Sequence, residues 1–343
     1  MLTYPEAIEI VLATLQPLAA VEVELHDALG RVLAAPVQAR WDLPPADNSA
    51  MDGYAFAFGQ QQAGDRLRVE GFVAAGDWST ATVPAGSAVK IMTGAPLPLG
   101  CDTVIPFEEI ETDGTDILLG KSPKASQHVR RQGEEFRRDE TLLVPGTPLF
   151  SGEIGLLAAA GISRVRIHPA PRIALLSTGD ELVELGEVPG PGQIVNSNAH
   201  LLSARLREEG HQVVTLGIAR DISADLQDKI ARGLQADLLI TTGGVSVGDR
   251  DLLQETLGHF GFKLGFWRVA IKPGKPVLFG TVQGTPVFGL PGNPAASAAT
   301  YELFVRPALR QLSGFRDILP GHLRATLTAA VKGGNKRQRS GAA

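Results

Sequence analysis

Thr241-Thr242-Gly243-Gly244-Val245-Ser246-Val247-Gly248-Asp249-Arg250-Asp251 gathers glycines, hydroxyls and acids in one short run. It follows the apolar triplet Leu238-Leu239-Ile240, which reads as a buried parallel strand, and precedes a helical pattern over 252–260. A glycine-rich turn between strand and helix lets the backbone approach a ligand and directs free N–H groups at an anion. The hydroxyls of Thr242 and Ser246 add donors, and Asp249 with Asp251 can hold a hard cation such as Mg²⁺ against a phosphate. A tight turn with an aspartate helix cap would account for such a loop standing alone. It explains poorly the further polar turns in the same chain.

One of these is 44–55, where Asp47, Asn48 and Ser49 precede Asp52 and Tyr54; by itself it reads as an Asx-turn. Another, Ile91-Met92-Thr93-Gly94-Ala95-Pro96, is a strand ending in a hydroxyl-bearing turn. In Arg130-Arg131-Gln132-Gly133-Glu134-Glu135 two acids sit beside two arginines, the pattern of a solvated ion-pair cluster. Ser177-Thr178-Gly179-Asp180-Glu181 closes a strand of the same α/β region, and open parallel sheets bind ligands beyond the carboxyl ends of their strands. Finally, Lys272-Pro273-Gly274-Lys275-Pro276 mounts two lysines between prolines, ahead of Leu290-Pro291-Gly292-Asn293-Pro294. Lysines held this way suit phosphate or another oxyanion, and Trp267 and Arg268 just upstream add a flat apolar face and a cation.

These side chains describe an enzyme that handles a phosphorylated or oxyanionic small molecule with Mg²⁺. The chain has no G-x-x-x-x-G-K-[ST], no G-x-G-x-x-G and no nucleophile elbow. Its seven histidines lack metal-ligand spacing. The net charge of −5 argues against a uniformly basic nucleic-acid-binding surface. A lone Cys101 excludes a disulfide framework and fits a reducing compartment. No apolar run is long enough to span a bilayer, and the N-terminus lacks a secretory pattern, so a cytoplasmic protein is expected.

The elements that position these groups follow from texture. With 343 residues, two or three domains are expected. Pro5, with Ile8, Val11, Leu12 and Leu15 on one face, starts an N-terminal helix over 3–19 that packs against the α/β region. Short strands at Val21–Leu25 and Val32-Leu33 flank a turn at 27–30. A block at 41–138 carries candidate strands at 66–72, 87–91, 103–106 and 116–119, antiparallel or barrel-like. Ser151 caps a helix over 154–160 that Gly161 stops. From Pro171 strands (173–176, 213–216, 238–240) alternate with helices (201–208, 224–233), the mark of a parallel sheet covered on both faces. A hairpin of 277–280 with 286–289 follows, then a helix from Pro294 capped by Asn293, with a kink or end at Pro307. A β-like segment, 322–331, leads into a basic tail, 332–341, expected to be disordered. The expected fold is thus α/β multidomain. Residues 1–40 and 139–170 form a small mixed N-terminal/linker domain, 41–138 a β-rich insert, 171–318 a three-layer α/β domain, and 319–343 a truncated β domain with its tail.

Taken in order, the Asp47–Tyr54, Met92–Pro96, Ser177–Leu182, Thr241–Asp251, Ile271–Pro276 and Leu290–Pro294 segments resemble the MoeA/gephyrin E-domain family, the molybdopterin molybdenumtransferases. The resemblance covers roughly residues 3–318. It implies a homodimer whose α/β domain is related to the molybdopterin adenylyltransferase fold. It also implies a reaction in which adenylylated molybdopterin and molybdate, with Mg²⁺, give molybdenum cofactor and AMP. By position it assigns catalytic roles to Asp52, Thr93, Glu181, Asp221, Asp251 and Lys272, with Asp249 and Asp251 on the metal. Gly243, Gly244, Ser246, Lys272, Lys275, Pro291, Asn293 and Pro294 would bind the substrate. Asp52 and Thr93 would come from the other subunit. Further implied partners are the adenylyltransferase and the recipient molybdoenzymes, with no nucleic acid and no membrane. Two departures stand out: Glu135 where the family often has Asp, and a fourth domain recognisable only by its opening strand. The alternatives are a molybdopterin adenylyltransferase, which the long β-rich region and Val245-Ser246 disfavour, and a catalytically weak pterin-binding scaffold.

Overall fold

The computed structural model describes residues 1–78, 80–220, 223–244, 252–321 and 326, together with 338–339. The chain forms two compact units, one of Met1–Ala35, Val144–Ser151 and Arg164–Ala343, the other of Pro36–Leu143 and Gly152–Ser163.

The first unit is built on a six-stranded sheet, ordered Gln212–Ala219, Arg172–Thr178, Leu238–Thr242, Thr285–Leu290, Leu278–Val282 and Lys263–Trp267. The first four strands are parallel, and Leu278–Val282 runs antiparallel to both of its neighbours. Five strands therefore end at one edge of the sheet. Side chains alternate across a strand, so Ile173 and Leu175 enter one apolar core and Ala174 and Leu176 the other. Helices Tyr4–Thr14, Ser197–Glu208 and Arg306–Leu312 cover the first face; Ser223–Gly233 and Leu252–His259 cover the second. This is the doubly covered sheet that the strand and helix alternation implies.

Local chemistry sets the helix ends. The Glu6 carboxylate accepts the Thr3 N–H at 2.7 Å and its hydroxyl at 2.8 Å, with Pro5 in the first turn. The N-terminal helix ends at Thr14, short of the expected 19. The regular α-helix that starts at Pro294 ends at Thr300, ahead of Pro307. A π turn at Tyr301–Val305 resets the hydrogen-bond register, so Pro307 falls in the first turn of Arg306–Leu312, where no intrahelical N–H is required. Val21–Glu24 and Val32–Leu33 both pair antiparallel with Arg164–His168, and the expected turn between them is largely a 3₁₀ turn, Leu25–Ala28.

The second unit holds a six-stranded sheet ordered Thr103–Pro106, Gly53–Phe56, Ser87–Ile91, Arg66–Val73, Asp116–Leu119 and Ile110–Asp113. Its pairs are antiparallel except Arg66–Val73 with Ser87–Ile91, which is parallel, so the antiparallel part of the expectation holds for all pairs but one. In the basic tail, Gln338–Arg339 pair in parallel with Ile271–Lys272. The expected strand at 322–331 lies outside the described residues except for Thr326.

Candidate functional site

At the shared edge of the first unit, strand ends meet helix starts through buried polar groups. Thr242 donates its hydroxyl to Ser177 Oγ (3.1 Å), and Ser177 donates to Asn196 Oδ1 (2.9 Å). Asn196 Oδ1 also accepts the Ala199 N–H at 3.4 Å, capping Ser197–Glu208. Each hydroxyl in this chain is buried and would be costly without its partner. The chain fixes two strands and one helix relative to each other.

Gly243 opens the turn with φ +85°, and a Cβ there would lie 2.3 Å from the Thr178 carbonyl oxygen, so only glycine fits. Its N–H donates to the Leu290 carbonyl at 3.1 Å, joining this turn to the Pro291-Gly292-Asn293 loop. That loop is held from below by Asn198, whose Nδ2 donates to the Gly292 carbonyl at 2.8 Å. Pro291 is buried, and Asn293 caps Pro294–Thr300 by accepting the Ala296 N–H at 3.1 Å. Between these loops lies a cavity of about 320 Å³ lined by Thr178, Glu181, Asn196, Asn198, Thr242, Gly243, Gly292, Asn293 and Pro294 among others. Among the described residues of that lining Glu181 is the single charged one.

Lys272 and Lys275 sit on the connection between Lys263–Trp267 and Leu278–Val282, which leaves and re-enters the sheet at the same edge. The loop is closed by the Val269 N–H donating to the Lys275 carbonyl at 3.1 Å. Neither lysine side chain has a carboxylate within ion-pair reach among the described residues, and neither lines the cavity. Asp221, Ser246, Asp249 and Asp251 lie outside the described residues.

In the second unit, Thr93 donates both its N–H and its hydroxyl to Asp52 Oδ1, each at 2.7 Å. These two bonds hold the Asp52 carboxyl below the usual aspartate range, the hydroxyl being the larger cause. The polar stretch before Asp52 forms the two-residue strand Asn48–Ser49, and Gly53–Phe56 after it is a fully buried strand rather than a turn. Arg130 pairs with Glu134 (3.3 Å) and Glu135 (2.9 Å), an exposed cluster of the kind that contributes little. Burial pushes the Cys101 thiol up to about 12, which unfits it as a nucleophile. Among the described residues no three His, Cys, Asp or Glu side chains group as metal ligands.

Sequence reasoning left out Ser177 as a hydrogen-bonding link, and Asn196 and Asn198 altogether. Their signal was the polar Asn196-Ser197-Asn198 run directly after apolar Ile194-Val195.

Two family models match the chain: "MoeA N-terminal region (domain I and II)" over residues 2–161 and "Probable molybdopterin binding domain" over 174–311. A molybdopterin biosynthesis MoeA protein of Pyrococcus horikosii superposes with a TM-score of 0.78 at 32% identity, covering 92% of this chain and 80% of that one. The fold is therefore that of the MoeA-type multidomain α/β proteins. Molybdopterin molybdenumtransferases of Nostoc sp. and Haemophilus influenzae are each 38% identical, over 85% and 90% of this chain and 69% and 77% of their own lengths. The chain belongs to the molybdopterin molybdenumtransferase family, enzymes of molybdenum cofactor biosynthesis. No helix among the described residues is long and apolar enough to cross a membrane.

Proposed function

We propose that this enzyme inserts molybdate into adenylylated molybdopterin and releases AMP in a Mg²⁺-dependent step, as a cytoplasmic homodimer. The observation that carries this reading is the division of labour along one sheet edge. The cavity offers amide and hydroxyl groups with one carboxylate, which suits an uncharged, hydrogen-bonding heterocycle such as a pterin. Lys272 and Lys275 on the neighbouring loop, with no carboxylate partner among the described residues, suit oxyanions.

In this reading Thr178, Asn196, Asn198 and Thr242 bind and orient the pterin, and Glu181 accepts a hydrogen bond or proton from it. Gly243 and Gly244 permit close backbone approach, with Ser246 alongside and Pro291, Asn293 and Pro294 forming the opposite wall. Lys272 and Lys275 stabilise charge that develops on phosphate or molybdate. Asp52, kept ionised by Thr93, acts with it as a second functional group contributed by the other subunit, and Asp221 completes the set of acids.

Mg²⁺ is held through one or two carboxylates together with substrate phosphates. Among the described residues of that edge Glu181 offers a hard carboxylate oxygen donor of the kind such an ion takes. Asp249 and Asp251 would hold it, and it would neutralise charge on the phosphate. A molybdopterin adenylyltransferase would supply the substrate, and apo-molybdoenzymes would take the product.

The test is turnover of Lys272→Ala and Glu181→Gln with adenylylated molybdopterin, molybdate and Mg²⁺. Loss of a preorganised charge contact of this kind lowers kcat about 10²–10³-fold. Folded variants that release AMP at the wild-type rate would contradict the assignment.

A further inference from the structure

A second cavity lies at the opposite edge of the same sheet, where Arg172–Thr178 and Gln212–Ala219 begin and Ser197–Glu208 ends. It measures about 360 Å³, within the range of small-molecule sites, and belongs wholly to the first unit. Its walls come from 29–32, 168–170, 208–211 and the end of Arg306–Leu312 with the residues just after it, together with Phe150. None of these residues falls in the motifs read from the sequence, and none takes part in the reaction proposed above.

The charges of this lining are unevenly matched. Arg306 is paired, with Glu209 at 3.3 Å and Glu302 at 3.0 Å. Glu208, the other acid of the lining, faces Arg205 at 3.8 Å. Arg31 and Arg310 have no carboxylate within ion-pair reach among the described residues. Arg31 donates to the Gly210 carbonyl at 3.2 Å, and Arg310 donates its Nε–H to the Asp317 carbonyl at 2.8 Å. Burial, with the nearby Arg306 charge, pushes the Arg310 guanidinium below its usual range. The acids of the wall are therefore already neutralised, while two guanidiniums on separate elements are not.

Apolar and buried polar groups complete the wall. The Arg310 guanidinium carbon stands 4.2 Å from the centroid of the Phe315 ring. Leu29 and Phe150 are 59% and 58% exposed, so large apolar side chains stay in water beside a concave surface. The His211 side chain is 6% exposed and Ser313 5%, yet His211 Nδ1 and Ser313 Oγ have no hydrogen-bond partner. Buried polar groups left unsatisfied are rare in a native fold, and a ligand seated against this wall would supply a partner.

We propose that this cavity binds a small aromatic anion, its carboxylate or phosphate ester held by Arg31 and Arg310 and its ring by Phe315, Phe150 and Leu29. Guanidinium forks match the oxygens of either group pairwise, and stacking on Phe315 fixes one fork in advance. Ser313 turns its hydroxyl to the bound anion. The site is separate from the carboxyl edge, so its ligand is an effector rather than a substrate.

The experiment is calorimetric titration of benzoate, phenyl phosphate and inorganic phosphate into wild type and variants, with thermal midpoints recorded for each. Wild type should bind one of the aromatic anions more tightly than inorganic phosphate, and which one it prefers separates a carboxylate ligand from a phosphate ester. Arg310→Gln and Arg31→Gln should each weaken that binding about tenfold or more, the loss expected of a charge-assisted contact. Ser313→Ala should weaken it several-fold while keeping or raising the thermal midpoint, because it removes a buried hydroxyl that has no partner in the free protein. It keeps the test decisive if the arginine variants fail to fold. Lys272→Ala should leave the affinity unchanged. Binding of neither aromatic anion, binding no tighter than that of inorganic phosphate, or unchanged affinity in the folded arginine variants would each overturn the proposal. Loss of binding in Lys272→Ala would overturn it too, by placing the anion at the other edge of the sheet.

Discussion

Replacing Gly243 with alanine should be the most damaging single-methyl change in the cavity wall. The new Cβ would lie 2.3 Å from the Thr178 carbonyl oxygen. Thr178 cannot retreat, because its strand is paired on both sides, with Ser177 opposite Thr242 and Thr178 opposite Ala219. The left-handed backbone adds about 1–2 kcal/mol for a residue with a Cβ, and a clash that the core cannot relax adds about as much again. The sum, about 3 kcal/mol, lowers the thermal midpoint by roughly 6–12 °C in a domain of this size. Gly244→Ala, at φ +67°, meets only the Thr178 hydroxyl, at 2.8 Å, which can rotate away. It should cost about 1 kcal/mol. Gly292→Ala finds its nearest neighbour at 3.8 Å, ordinary contact, and should change stability by less than about 0.5 kcal/mol. Differential scanning calorimetry of the three variants gives the order directly. A Gly243→Ala protein as stable as Gly292→Ala would refute the close-approach argument.

Burial, reinforced by the Arg31 charge, pushes the His211 imidazole down to about 4 from its ordinary 6.5. Neutral in both states above 6.5, it has no effect there; as pH falls from 6.5 to about 4 the unfolded chain gains the proton first and stability drops by roughly 3 kcal/mol. Urea midpoints against pH should show this limb, and His211→Gln should flatten it. Thr93→Val removes the hydroxyl that does most to depress Asp52, so the Asp52 pKa should rise, as read by carboxyl carbon NMR. Because a depressed carboxylate stabilises above its unfolded pKa and loses this as pH falls through the folded value, the variant should also lose its Asp52 contribution at a higher pH. Ser177→Ala strands the buried Thr242 hydroxyl and should cost about 1–2 kcal/mol in chemical denaturation, whereas Ser177→Thr should retain part of it.

The α/β sheet was legible because its strands are short, uninterrupted apolar runs bounded by glycine turns, as at Leu238–Thr242, and its helices carry an apolar stripe. The Gly53–Phe56 strand was not, because both its faces are buried: Tyr54 and Phe56 enter one core, Ala55 another, and no alternation survives in the sequence. The parallel pairing of Arg66–Val73 with Ser87–Ile91 is a tertiary choice that strand composition does not encode. At the site, Glu181, Gly243, Asn293 and Pro294 come together around one cavity, while Asp52 and Thr93 find each other in the second unit. Asn198 was missed because its role is a bond to the Gly292 carbonyl, 94 residues away.

The measurement that bears most directly on the account is AMP release by the purified protein from adenylylated molybdopterin, with and without molybdate and Mg²⁺. The account predicts release that requires molybdate and Mg²⁺ and leaves molybdenum bound to the pterin dithiolene. Tight binding of the adenylylated pterin with no AMP released under any of these conditions would contradict it.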